Sequence, residues 1–241
     1  MKVLVATAYK PSVFLLSFPR SGSHWLCYCL EYITGMKTDR SHRTGDWRGS
    51  GEMFLGVSHF AWHFRLARSC VYKGRDVPRI LLLRNYKECV VNQSASSDLR
   101  SWDTPADNII KYCENIMHYH ESPSKIPGIV VYYESLLTDP LSSLEEIVNW
   151  LDTHKLIDNH VSVSQMRVNL HELIKSIDDH KAQCLDGYKN GTHGRFGMSQ
   201  YDLLYHSKKM DKELRLKWDE RIQRILPSSI FKERCSRYLE K

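Results

Sequence analysis

The residues best suited to chemistry are eight in a row, Phe18-Pro19-Arg20-Ser21-Gly22-Ser23-His24-Trp25, lying between an apolar run and a helical one. A strand that turns through such a segment into a helix presents amide N–H groups with no intrahelical acceptor, and the helix dipole adds partial positive charge at the same place. Gly22 permits close approach to the backbone, Ser21 and Ser23 add hydroxyl donors, and Arg20 adds a forked cation. That set suits a phosphate or a sulfate; the competing reading is an ordinary strand–helix turn with a capping serine. The pattern G-x-x-x-x-G-K-[ST] is absent, so no Lys-Ser/Thr pair stands ready for a magnesium nucleotide.

A second cluster, Arg84-Asn85-Tyr86-Lys87-Glu88-Cys89-Val90-Val91-Asn92, follows the apolar run Arg79 to Leu83. An arginine at the carboxyl end of a parallel strand faces the crevice in which open α/β sheets bind ligands. Arg84 and the turn are therefore expected to form a two-point anion site.

With both clusters in view, the sequence resembles the cytosolic-type sulfotransferases, which move a sulfuryl group from 3′-phosphoadenosine 5′-phosphosulfate (PAPS) to an acceptor and release 3′,5′-adenosine bisphosphate (PAP). Ser17 to Trp25 is similar to that family's S-x-P-[KR]-S-G-T-[TS]-W, and Arg84 to Asn92 to its R-N-x-x-D-x-x-x-S. Val57-Ser58-His59 resembles K-[TS]-H, Tyr133-Glu134 with Asp139-Pro140 resembles Y-E-D-L…D-P, and Lys189-Asn190-Gly191-Thr192-His193-Gly194-Arg195-Phe196 echoes R-K-G-x-x-G-[DE]-W. The resemblance implies 5′-phosphosulfate binding by Arg20, Ser21, Gly22, Ser23 and His24, and adenine stacking by Trp25. It implies 3′-phosphate binding by Arg84, Asn92, Lys189, Asn190 and Gly191, with Tyr133 near the adenine. His59 would be the catalytic base and Arg20 would stabilise the leaving oxygen, with no metal required. Val57, His24, Asn92 and Asn190 depart from the family pattern; without a lysine at 57, charge stabilisation falls more heavily on Arg20.

The elements that must carry these residues read as an alternation. Val13 to Phe18, Phe54 to Ser58, Arg79 to Leu83 and Gly128 to Tyr133 are nearly continuous apolar runs, as in parallel strands covered on both faces. Helices are expected over Ser23 to Thr34, ended near Gly35, and over Tyr86 to Ser97. Thr104-Pro105-Ala106-Asp107 opens a helix to about His120, and Ser142 with Glu145 reads as a capping box for a helix through Asp152. Lys37 to Gly51 is expected to be a long mobile loop, and Lys208 to Lys241 an amphipathic helix with a solvated basic face. Together these predict an α/β three-layer sandwich with a central, mostly parallel sheet flanked by helices, a phosphosulfate-binding turn akin to a P-loop, a helical C-terminal part, and one domain over residues 1–241.

Composition narrows the partners. The formal charge of +6 fits an anionic ligand but names none, and no basic stripe interleaved with aromatics points to nucleic acid. No apolar run approaches the roughly 20 residues of a membrane span, and the N-terminus lacks the long apolar centre of a signal peptide. The seven cysteines are scattered with no C-x-x-C pair, which reads as reduced structural thiols. His59 and His63 have metalloprotease spacing, but Phe60 stands where the glutamate would. Two glycosylation sequons, at Asn92 and Asn190, fall inside the expected nucleotide site, where a glycan would block binding. These features predict a cytoplasmic protein acting on a small-molecule or glycan acceptor, with no membrane and no nucleic acid. A kinase-like phosphotransferase on the same scaffold and a non-catalytic nucleotide-binding relative are the alternatives.

Overall fold

The computed structural model describes residues 12–38, 53–58, 77–96, 105–121, 124–157, 162, 165, 172–175 and 212–239. In chain order these form β1 (Val13–Ser17), α1 (Ser23–Thr34), β2 (Lys37–Thr38), β3 (Met53–Ser58), β4 (Arg79–Leu83), α2 (Tyr86–Ser96), α3 (Pro105–His120), β5 (Ile129–Tyr132), α4 (Tyr133–Thr138), α5 (Pro140–Thr153), α6 (Lys212–Ile225), α7 (Ser228–Arg234) and a closing 3-10 turn, Ser236–Tyr238. The five strands lie in the order β2-β3-β1-β4-β5, and every neighbouring pair is parallel. The chain runs from the centre to one edge and then crosses to the other side. The carboxyl ends of β1 and β4 therefore flank a topological switch point, where sheets of this kind open a crevice.

Strand alternation assigns the core. Val13, Leu15, Leu55, Ile80, Leu82, Ile129 and Val131 point to one face, where Leu26, Leu30 and Ile33 of α1 and Leu144, Ile147 and Leu151 of α5 cover them. Leu16, Leu81 and Leu83 point to the other, under Cys89 and Val90 of α2, Ile109, Tyr112 and Ile116 of α3, and Trp218 and Ile222 of α6. With both faces covered, period-2 polarity disappears from the sequence and each strand reads as one apolar run. Each fully buried aliphatic side chain contributes about 1.5–3 kcal/mol relative to exposure. The result is the expected three-layer α/β fold.

Three expectations need correction. Lys37 and Thr38 belong to a parallel strand beside β3, where a long loop was expected. Two residues are too short for an apolar signal, and the Glu31 side chain of α1 fixes the strand instead, accepting from Thr38 N (3.1 Å) and Thr38 Oγ1 (2.7 Å). Helix α5 is capped by Asp139, not by Ser142 with Glu145: Asp139 accepts from Ser142 N (3.2 Å), and Pro140 takes the first helical position, where its missing N–H costs nothing. The bonds from Ser142 hold the Asp139 carboxyl below the usual carboxylate range. Tyr133, expected to end a strand, is the first residue of α4.

The basic C-terminal tail is two helices broken near Pro227, and it carries a buried charge inward. Lys87 Nζ of α2 lies 2.8 Å from Asp219 Oδ1 of α6, with both side chains at most 5% exposed. Asp219 also accepts from the Tyr86 hydroxyl, and Lys87 donates to the Tyr238 carbonyl (2.8 Å). The pair ties the tail to α2.

Two stability measurements check this packing. Asp219→Ala strands the Lys87 ammonium in the interior and is expected to cost about 3–5 kcal/mol in chemical denaturation. A Cβ at Gly128 would sit 2.5 Å from the Tyr119 ring and 2.7 Å from the Arg79 carbonyl, so Gly128→Ala is expected to cost about 1–3 kcal/mol.

Candidate functional site

The turn after β1 adopts a backbone that its residue types do not favour. Ser21 N donates to the Phe18 carbonyl (3.2 Å), closing a four-residue turn with Pro19 second and Arg20 third. Arg20 has φ 68°, a left-handed conformation normally left to glycine, and Gly22 follows with φ 88°. A proline followed by a left-handed residue is the signature of a type II turn. Holding a non-glycine residue there costs about 1–3 kcal/mol, strain that persists only where the surroundings enforce it.

Arg84 enforces it. Its Nη1 donates to the Arg20 carbonyl (2.8 Å), while Nε (3.1 Å) and Nη2 (2.8 Å) both donate to Glu88 Oε2 one helical turn on. Burial alone would lower the guanidinium pKa, but the hydrogen bond and charge of Glu88 hold it above its ordinary value. The cation also lies 4.6 Å from the centre of the Tyr133 ring. That ring covers Gly22 so closely that a Cβ there would meet it at 2.3 Å. The turn, the start of α2 and the start of α4 thus converge at the carboxyl edge of the sheet.

Helix α1 opens at Gly22 with no side-chain cap, so nothing in its own N-cap residue satisfies the first-turn amides. Ser21 Oγ is buried beside the Cys89 thiol, its side-chain neighbour. The neighbouring Cys89 thiol, pushed up to about 12 chiefly by burial, directs its hydrogen to the carbonyls of Arg84 (4.0 Å) and Tyr86 (3.9 Å). A helix start without a side-chain cap at Gly22, next to Arg20 and Arg84, is a donor set suited to an anion, and the residues present fit a phosphate or sulfate group.

The expected site residues separate into groups. Arg20, Ser21, Gly22, Arg84 and Tyr133 are brought together. Ser23 is buried and His24 exposed at the start of α1, and Trp25 is half-buried, packed against the core cluster beneath that helix. Asn92 falls within α2, its side chain outside the described set. His59, Lys189, Asn190 and Gly191 lie outside the described residues; His59 follows directly in sequence on Ser58, the last residue of β3, which is paired with Leu16 of β1.

Sequence reasoning missed the supports. Glu134 accepts from Asn85 N through one oxygen and from the Tyr238 hydroxyl through the other. The Arg84–Glu88 pair was legible as an i,i+4 contact. Tyr238 carries no local signal: its partner Glu134 is 104 residues away.

No protein-family model and no curated protein sequence matches the chain. Solved structures do resemble it. A mouse sulfotransferase complexed with PAP is 20% identical, covers 69% of this chain and has a TM-score of 0.47. The sulfotransferase domain of an olefin synthase from Synechococcus PCC 7002 is 16% identical over 60% of this chain and 74% of its own, with a TM-score of 0.43. A sulfotransferase from Alicyclobacillus acidocaldarius is 11% identical over 92% of this chain and 99% of its own, with a TM-score of 0.46. The chain spans 64% of the length of the mouse protein, just under two thirds.

Proposed function

We propose that this protein is a PAPS-dependent sulfotransferase, with PAPS as donor, PAP as product and a small molecule or glycan as acceptor. The observation that carries the reading is the left-handed turn Arg20–Gly22, opening an uncapped helix with the Arg84 guanidinium bonded to its carbonyl. The resemblance of Ser17 to Trp25 and of Arg84 to Asn92 to the sulfotransferase motifs supports PAPS as the anion. When bound, PAPS supplies a sulfuryl group on a phosphosulfate anhydride.

In this reading the chain's own residues position and neutralise. The amides of Gly22 to Trp25 and the Ser21 hydroxyl bind the 5′ end. Arg20 stabilises negative charge developing on the oxygen that leaves, which is where fixed donors contribute most to rate. Arg84 has N–H donors left over after its bonds to Arg20 and Glu88, and these take the 3′-phosphate. Asn92 and the segment Lys189 to Gly191 close over the same phosphate. Tyr133 and Trp25 supply aromatic surface for the adenine. His59 accepts the proton of the acceptor hydroxyl, its neutral imidazole being the dominant form near pH 7. In this reading residues 1–241 are one catalytic domain working in the cytoplasm. Among the described residues, no helix is long and apolar enough to cross a membrane.

Transfer of labelled sulfate from PAPS across a panel of hydroxyl and amine acceptors tests the proposal. His59→Ala is expected to lower turnover by about 100-fold or more with donor binding retained, the usual worth of a positioned general base. Arg20→Ala is expected to lower turnover by a similar factor, as for removal of one oxyanion donor. Binding of PAP with no transfer to any acceptor, and indifference to His59→Ala, would favour the non-catalytic relative; a magnesium requirement with ATP would favour the phosphotransferase. Gly22→Ala is expected to abolish PAP binding measured by calorimetry, because its Cβ would drive the Tyr133 ring off the turn at a backbone angle that alanine resists.

A further inference from the structure

The peptide unit joining Arg84 to Asn85 is held from both sides. Its carbonyl accepts from the Tyr112 hydroxyl of α3 (3.0 Å), and its N–H donates to Glu134 Oε1 of α4 (2.8 Å). On the other side of Arg84, the strand ladder fixes the backbone, with Leu83 paired to Tyr132. The Arg84 side chain leaves the main chain between these two anchors, so its origin and direction are set by them.

Glu134 is itself oriented. Its second oxygen accepts from the Tyr238 hydroxyl (2.9 Å), and the Tyr238 carbonyl accepts from Lys87 Nζ (2.8 Å). Tyr238 is buried, with its ring edge-on to Tyr86 at 6.1 Å. A carboxylate bonded through one oxygen can still swing; bonded through both, it presents a fixed acceptor to the amide it faces. The 3-10 turn near the end of the chain is therefore wired, through two hydrogen bonds, to the peptide that aims Arg84.

We infer that Tyr238, Glu134 and Tyr112 are positioning residues for Arg84, and that Tyr238 sets recognition of the donor's 3′-phosphate without touching it. The inference rests on the proposed reading of Arg84 as the 3′-phosphate ligand. It separates these residues from ordinary struts, because a strut would affect stability, or binding of every ligand alike. Because Arg84 also bonds the Arg20 carbonyl, misaiming it loosens the 5′ end as well, but only the 3′-phosphate loses a direct ligand, so the larger loss falls there.

The test is calorimetric titration of the full chain with PAP and with adenosine 5′-phosphosulfate, which lacks the 3′-phosphate. Wild type, Tyr238→Phe, Glu134→Leu and Glu134→Gln are compared well below each melting temperature. Wild type is expected to bind PAP more tightly. Tyr238→Phe and Glu134→Leu are expected to lose about tenfold in PAP affinity, the usual scale for one hydrogen bond to a charged group, with a clearly smaller loss for the 5′-phosphosulfate, whose binding Arg84 supports only through the Arg20 carbonyl. Glu134→Gln keeps an acceptor for Asn85 and a polar partner for Tyr238, so it is expected to retain most of the PAP affinity. If wild type binds and Tyr238→Phe loses both ligands equally, or neither, the inference is overturned while the donor reading stands. A wild type that binds neither ligand overturns both.

Discussion

The hydrogen bond from Arg84 to the carbonyl of Arg20 joins the two halves of the site, and much else is arranged around it. A left-handed arginine is an unfavourable way to leave a strand. It is tolerated here because a half-buried guanidinium, pinned by Glu88 and lying against the Tyr133 ring, donates to the Arg20 carbonyl. Reversing the conformation would remove a charge-assisted acceptor from a largely buried cation, a loss comparable to the strain it would relieve. The turn and the cation each make the other's geometry affordable.

The sheet makes that meeting possible. Because all neighbouring strands are parallel, every strand delivers its following segment to one edge, so the turn after β1, Arg84 after β4 and Tyr133 after β5 arrive together although up to 113 positions separate them in the chain. The two apolar clusters hold the strands in register from both faces. The charged pair between Lys87 and Asp219 then brings the C-terminal helices against α2, behind the site. Its net worth to stability is small after desolvation, as for most buried pairs. Its place beside Asn85 and Tyr238 ties the tail to the start of α2.

How far this was legible in the sequence depended on the range of the interaction. The turn and helix α1 were readable because Pro19, Gly22 and Gly35 punctuate the chain locally. The four longer strands were readable because continuous apolar runs have few alternative explanations. Strand β2 was hidden, since what fixes Lys37 and Thr38 is a ladder to β3 and the carboxylate of Glu31. The cap at Asp139 is legible in the sequence: Asp139-Pro140 obeys the same first-turn proline rule that places the start of α3 at Pro105. The placement of Glu134, Asp219 and Tyr238 was not readable at all. Each is a polar residue whose environment is made by segments far off in sequence, and polar side chains at such sites look the same as solvated ones until the fold brings their partners to them.

In the proposed function the amides opening helix α1, held in place by Arg84, form the anion-binding surface. Amide chemical-shift mapping of the isotopically labelled protein during addition of PAP tests it most directly. The largest shifts are expected at Gly22, Ser23, His24 and Trp25, saturating together with the side-chain signal of Arg84. PAP binding that leaves those four amides unmoved would contradict this role for the turn.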